Sequence, residues 1–104
     1  MKVMPASVPI VIGISTYLKT STPVVTASIK IANINKNRKG FVVFNNSSNS
    51  VYITYGETAV AATCTRILAT FNQFESFSTT CWTGEMYAIR NSGSGQVTVW
   101  EFME

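Results

Sequence analysis

Side chains that could move a proton near neutral pH, or attack an electrophile, are scarce in this chain. Histidine and aspartate are both absent, so Ser-His-Asp and Cys-His relays lack their base and their orienting carboxylate. What remains is Glu57, Glu75, Glu85, Glu101 and Glu104, the thiols of Cys64 and Cys81, and four tyrosines. Two glutamates serve a glycosidase only when their carboxyls face each other across a cleft. Glu101 and Glu104 stand at the C-terminal end, and Glu57, Glu75 and Glu85 each adjoin turn-like residues, which predicts solvated carboxylates with no shared site. Cys64 and Cys81 lie 17 residues apart with no CxxC spacing, too few ligands for zinc. They are expected either as one disulfide in an oxidising medium or as two small buried apolar side chains. The run NSGSGQ (91–96) has two glycines but no GK[ST] ending, and it joins two strands where a phosphate loop must open a helix. No catalytic residue, cofactor or metal is expected, and function is sought in binding.

Two features carry binding chemistry. Lys36, Arg38 and Lys39 cluster in NINKNRKG, and aromatic residues follow at Phe41, Phe44, Tyr52 and Tyr55. A basic groove lined by aromatic platforms is how sheets hold single-stranded nucleic acid. Phe41 and Phe44, however, fall on opposite faces of one strand and the rest of the chain is not basic, which argues against nucleic acid. A basic turn meeting acidic surface on a protein partner is the expectation instead. Trp82, in a turn beside Thr83 and Gly84, is the second candidate, either as a sugar-stacking ring or as a plug in the core or a subunit contact.

The elements that must position these residues are strands. Val8, Ile10, Ile12 and Ile14 share one face of a first candidate strand that runs on through Leu18, and 20–23 break it. VVTASIKIA then alternates, with Val25, Ala27, Ile29 and Ile31 inward. GFVVFN and VYITY read as a hairpin over 41–55 with NNSSNS at its tip, CTRILATF (64–71) as the next strand, and a further strand surrounds Phe77. EMYAIRN puts Met86, Ala88 and Arg90 opposite Tyr87 and Ile89, NSGSGQ is expected as a hairpin connection, and QVTVWEFM is the last strand. Seven to eight short antiparallel strands in 104 residues predict a single all-β domain over 1–104, a β-sandwich or jelly roll. Jelly-roll and immunoglobulin-like topologies share this spacing.

Composition fits a subunit that spends its life packed against others. Charged residues are 12% of the chain, against roughly 25% in ordinary globular proteins. Polarity comes instead from 13 Thr, 11 Ser and 8 Asn. Six lysines and arginines and no acid occupy residues 1–56, whereas 57–104 carry two arginines against five glutamates, a balance of −3. That split either pairs one copy with another or neutralises itself within the fold. The opening MKVMPASVPIVIGIS is interrupted by Pro5 and Pro9 and lacks an A-x-A-like cleavage site, so it reads as mature protein. No apolar run reaches the 18 or so residues of a membrane helix, so no membrane partner is expected.

From Asn33 onward, NKNRKGFVVFNNSSNSVYITYG, then TRILATF and TGEMYAIRNSGSGQVTVWEF, resemble a pattern in small bacteriophage virion structural proteins. The likeness covers 33–104. It implies a β-sandwich that decorates or cements a capsid, or serves in a neck, tail or fibre, with no catalytic residues. It implies partners among copies of itself and other virion proteins such as the major capsid protein, and a place in the virion after assembly in the host cytoplasm. Residues 1–32 depart from the pattern and are expected as strands or an arm that engages a neighbour. A carbohydrate-binding β module is the alternative.

Overall fold

The computed structural model describes residues 16–60, 62, 64–77 and 81–103. Among them lie eight strands: β1 (Thr16–Val24), β2 (Ile29–Ala32), β3 (Arg38–Asn46), β4 (Val51–Tyr55), β5 (Arg66–Leu68), β6 (Gln73–Phe77), β7 (Met86–Ile89) and β8 (Gly95–Met103). They form two four-stranded sheets, in the order β1-β8-β3-β6 and β2-β7-β4-β5, every pair antiparallel. Strands pair first with last inward, β1 with β8, β2 with β7, β3 with β6 and β4 with β5, as when one long antiparallel hairpin is rolled over on itself. That order is a jelly roll, which decides between the two topologies left open by strand spacing.

Val24, Phe41, Val43, Val97 and Val99 of the first sheet meet Ile31, Val51, Ile53, Met86 and Ala88 of the second in one buried core. Their period-two spacing is the source of the inward faces. Beside the core, Arg90 is also fully buried; it continues the inward positions of Met86 and Ala88. Its Nε donates to the Val24 carbonyl (3.0 Å), Nη1 to the Asn49 carbonyl (2.7 Å) and Nη2 to Asn45 Oδ1 (3.2 Å). Asn45 Nδ2 in turn donates to the carbonyls of Asn49, Leu68 and Ala69. This polar plug satisfies the backbone where the 47–50 link crosses between sheets.

Several expectations from the sequence are corrected. The 41–55 hairpin does not exist: β3 and β4 belong to different sheets, and the polar NNSSNS run crosses the sandwich. NSGSGQ likewise links β7 to β8 across the two sheets. Alternation identifies strands but says nothing of their partners. β1 runs through the Thr20–Pro23 stretch expected as a break; proline is tolerated there because β1 is an edge strand. Val25 and Ala27 lie outside any strand, and Val25, Ala27 and Ile29 are exposed; the run packs inward only at Val24, which ends β1, and at Ile31 and Ala32. The strand expected over 64–71 is only Arg66–Leu68, because the chain turns at once into β6, with the Asn72 amide donating to the Ala69 carbonyl (3.0 Å) and Phe71 at φ 53°. The 8–14 strand lies outside the described residues.

The face of the β1-β8-β3-β6 sheet that points away from the core is ordered in cross-strand rows. One row is Tyr17, Phe102, Gly40 and Phe77; the next is Lys19, Trp100, Val42 and Glu75; the third is Ser21, Thr98, Phe44 and Gln73. In the first row the Phe102 ring touches Tyr17 (centroids 6.2 Å apart) and Phe77 (5.3 Å). A side chain at Gly40 would stand 2.2 Å from the Phe77 ring, so only glycine lets that ring lie across β3.

Candidate functional site

The residues singled out for binding gather at one end of the sandwich, where the 33–37 link meets 81–85 and Gly56. The Asn35 amide donates to the Thr83 carbonyl (2.8 Å), and the Gly56 amide to the Glu85 carbonyl (2.8 Å). Asn35 Oδ1 accepts from the Asn37 amide (3.1 Å), an Asx turn that reverses the chain into β3.

Arg38, the first residue of β3, does not present itself to a partner. It is 3% exposed, and every one of its five N–H groups has an acceptor. Nε and Nη2 donate to Glu101 Oε1 (2.9 and 2.6 Å), Nη1 to the carbonyls of Trp82 (2.8 Å) and Gly84 (3.1 Å), and Nη2 also to the Asn33 carbonyl (2.8 Å). Asn35 Nδ2 adds a third hydrogen bond to Glu101 Oε1 (3.3 Å). The expectation of an outward Arg38 is thereby corrected, and so is that of a solvated Glu101. The guanidinium is a staple joining β8 to two loops, and its carboxylate partner supplies the counter-charge that a buried cation requires.

Trp82 is partly exposed, at 37%, but its position is fixed from within. The indole stacks on Tyr55 (centroids 5.4 Å apart, planes 8° from parallel), and its Nε1 donates to the Glu85 carbonyl (2.8 Å). A side chain on Gly84 would come within 2.5 Å of the ring, so that glycine is needed for close approach. Lys36 and Lys39 are exposed and form no ion pair among the described residues. They flank a shallow depression of about 340 Å³ with Thr16, Asn37 and Met103. A second groove, of about 320 Å³, opens between the edges of β1 and β2, with Leu18, Ile31, Ile34 and Lys30 on its walls and Glu101 in its lining.

The charge asymmetry along the chain is partly cancelled inside the molecule. Both ion pairs among the described residues, Arg38–Glu101 and Lys30–Glu85 (3.2 Å), join a cation of the first half to a carboxylate of the second. The latter is exposed and adds little. Cys64 and Cys81 are free thiols, Cys81 buried with its Sγ donating to the Arg38 carbonyl (3.5 Å). Among the described residues no three His, Cys, Asp or Glu side chains converge on a metal position.

Burial raises the Cys81 thiol above its ordinary 9.0, with Arg38 and Lys39 pulling the other way. Burial likewise raises the Tyr55 hydroxyl above 10.0, opposed by Arg66 and Arg38. Both groups are neutral when protonated, so the unfolded chain loses its proton first as pH rises. Their stabilising contribution is full below pH 9.0 and declines as pH climbs through the raised native values. Urea midpoints measured from pH 8 to about 11 should fall with pH, and Cys81→Ala should remove the earlier part of that fall. A flat alkaline limb in the native chain would show that neither group is held neutral by the fold.

Sequence reasoning treats Tyr55 as one aromatic of a disfavoured nucleic-acid groove, Glu101 as a solvated carboxylate and Arg90 as a strand residue, and misses the contacts each makes. For the two charged residues a signal exists: Val97, Val99 and Glu101, like Met86, Ala88 and Arg90, are spaced two apart, which puts a charge on an inward face. No family model, no curated protein and no solved structure matches the chain.

Proposed function

We propose that the chain is a non-enzymatic structural protein of a bacteriophage particle, foremost a capsid decoration or cement protein, which works by contacts with copies of itself and with the major capsid protein. The observation that carries this reading is how the chemistry-bearing groups are spent. Glu101 is committed to Arg38, Glu85 to Lys30, and Cys81 is buried, while large apolar side chains face outward. Leu18 (49% exposed) and Ile34 (61%) flank the β1–β2 groove, and Ile67 (59%) and Phe71 (59%) stand on and beside β5 at the other lateral side. Large apolar side chains grouped outward in this way support a contact surface for a neighbour. The likeness of 33–104 to small virion proteins supplies the kind of particle; the jelly roll is compatible with it but hosts unrelated functions as well. Lys36 and Lys39, which form no ion pair among the described residues, are the residues expected to meet acidic surface on the shell. The carbohydrate reading has less support, because Trp82 already spends a ring face on Tyr55 and its donor on Glu85.

The test is add-back. Particles assembled without the chain should bind the purified protein saturably, and Lys36→Glu with Lys39→Glu should weaken binding about tenfold while leaving the fold intact. Particles that take up none of the native chain would refute the reading.

A further inference from the structure

The two edges of the β1-β8-β3-β6 sheet complement each other. Among the described strands β1 and β6 are the two at the margins of this sheet, and a marginal strand can take on a further one. Following the antiparallel pairings across the sheet, β1 and β6 run in opposite directions. A second copy laid beside the first in the same orientation therefore brings its β6 antiparallel to β1. Such an arrangement continues the sheet without reversing any strand.

Side chains on the outward face agree with that continuation row by row. Carried one strand further, the first row sets Phe77 of one copy opposite Tyr17 of the next, the second sets Glu75 opposite Lys19, and the third sets Gln73 opposite Ser21. These are an aromatic pair, an ion pair and an amide–hydroxyl pair, each a favourable cross-strand combination. Across the three rows the charges are Lys19 on one edge and Glu75 on the opposite edge of the same row. Both are exposed, and neither is in an ion pair among the described residues; Lys19 instead lies over the Trp100 ring (5.4 Å). A two-fold pairing of β1 with β1 about this row would put lysine on lysine, and β6 with β6 glutamate on glutamate. Like charges directly opposite disfavour both.

We infer that copies of this chain associate head to tail, β6 of one adding to β1 of the next, with Glu75 and Lys19 setting the register. This names one partner within the proposed function, a second copy, and it needs no particle to operate. A heterologous contact of this kind gives a ring or an open filament, never a closed two-fold dimer.

Sedimentation velocity over a concentration series tests it in solution. The native chain should form species that grow past the dimer as concentration rises. Lys19→Glu and Glu75→Lys should each weaken association about tenfold, with circular dichroism unchanged. Mixing the two single variants should restore it, since Glu75 of the first then meets Lys19 of the second, and the K19E/E75K double variant should restore it alone. A native chain that stays monomeric or stops at a dimer would overturn the inference, as would failure of both the mixture and the double variant to recover. Because no particle enters this experiment, such failure leaves the add-back result to stand or fall separately.

Discussion

Glu101→Ala is expected to destabilise the fold by about 3–5 kcal/mol, because it leaves a buried guanidinium without its counter-charge. Arg38 and Glu101 have side chains 0% and 4% exposed, so solvent cannot take over the lost interaction. A domain of this size has a total stability of about 5–15 kcal/mol, so the variant should be partly unfolded at physiological temperature. The loss should appear as a lower urea midpoint with little change in slope. Removing both charges is a sharper comparison. Where an ion pair contributes only its mutual attraction, a well-packed apolar pair can replace it at little cost. Here Arg38 also satisfies the carbonyls of Asn33, Trp82 and Gly84, so R38M/E101L should remain destabilised, by about 1–3 kcal/mol for backbone acceptors left bare. A double variant as stable as the native chain would show that the staple holds only its own charge.

Phe41→Ala should cost a similar amount, about 3–5 kcal/mol, by a different route. Phe41 is fully buried in β3, and its ring reaches across the sandwich to the second sheet at Tyr55. It packs edge-on against Tyr55 of β4 (centroids 6.1 Å apart, 82°) and Phe74 of β6 (5.9 Å, 88°), and the Arg38 guanidinium lies 5.9 Å from its centroid. Truncation leaves a cavity and removes both edge-to-face contacts, each worth about 0.5–1.5 kcal/mol beyond burial. Phe41→Leu keeps most of the volume and should lose clearly less, under about 2 kcal/mol. Equal losses for the two variants would mean that ring geometry, and not filled volume, dominates. A double-mutant cycle with Tyr55→Phe should show little coupling, because the contact uses the ring and not the hydroxyl.

Fold class was legible because period-two alternation and Asn/Ser/Gly punctuation are local signals, and they mark β3, β4, β7 and β8 close to their observed bounds. The pairing of strands was not legible. In a jelly roll each partner except β4–β5 is remote in sequence, so polar runs such as NNSSNS and NSGSGQ, which read as hairpin tips, instead carry the chain between sheets. The candidate site divides along the same line. Lys36 and Lys39 are exposed as a basic turn predicts, whereas Arg38, between them in sequence, turns inward because β3 begins there and Glu101 waits on the adjacent strand. The charge at Glu101 was visible in the inward spacing of Val97, Val99 and Glu101, but its partner, 63 residues away, was not. Trp82 was seen as a turn residue; its Tyr55 stack needed the 55–56 and 82–85 segments to be brought together by the loop end.

Mass spectrometry and image reconstruction of the purified phage particle test the central claim most directly. The expected result is the 11.4 kDa chain present at fixed stoichiometry and resolved as ordered copies packed on the shell. Its absence from purified particles, with the chain recovered only in the soluble fraction of the infected host, would contradict a structural role in the virion.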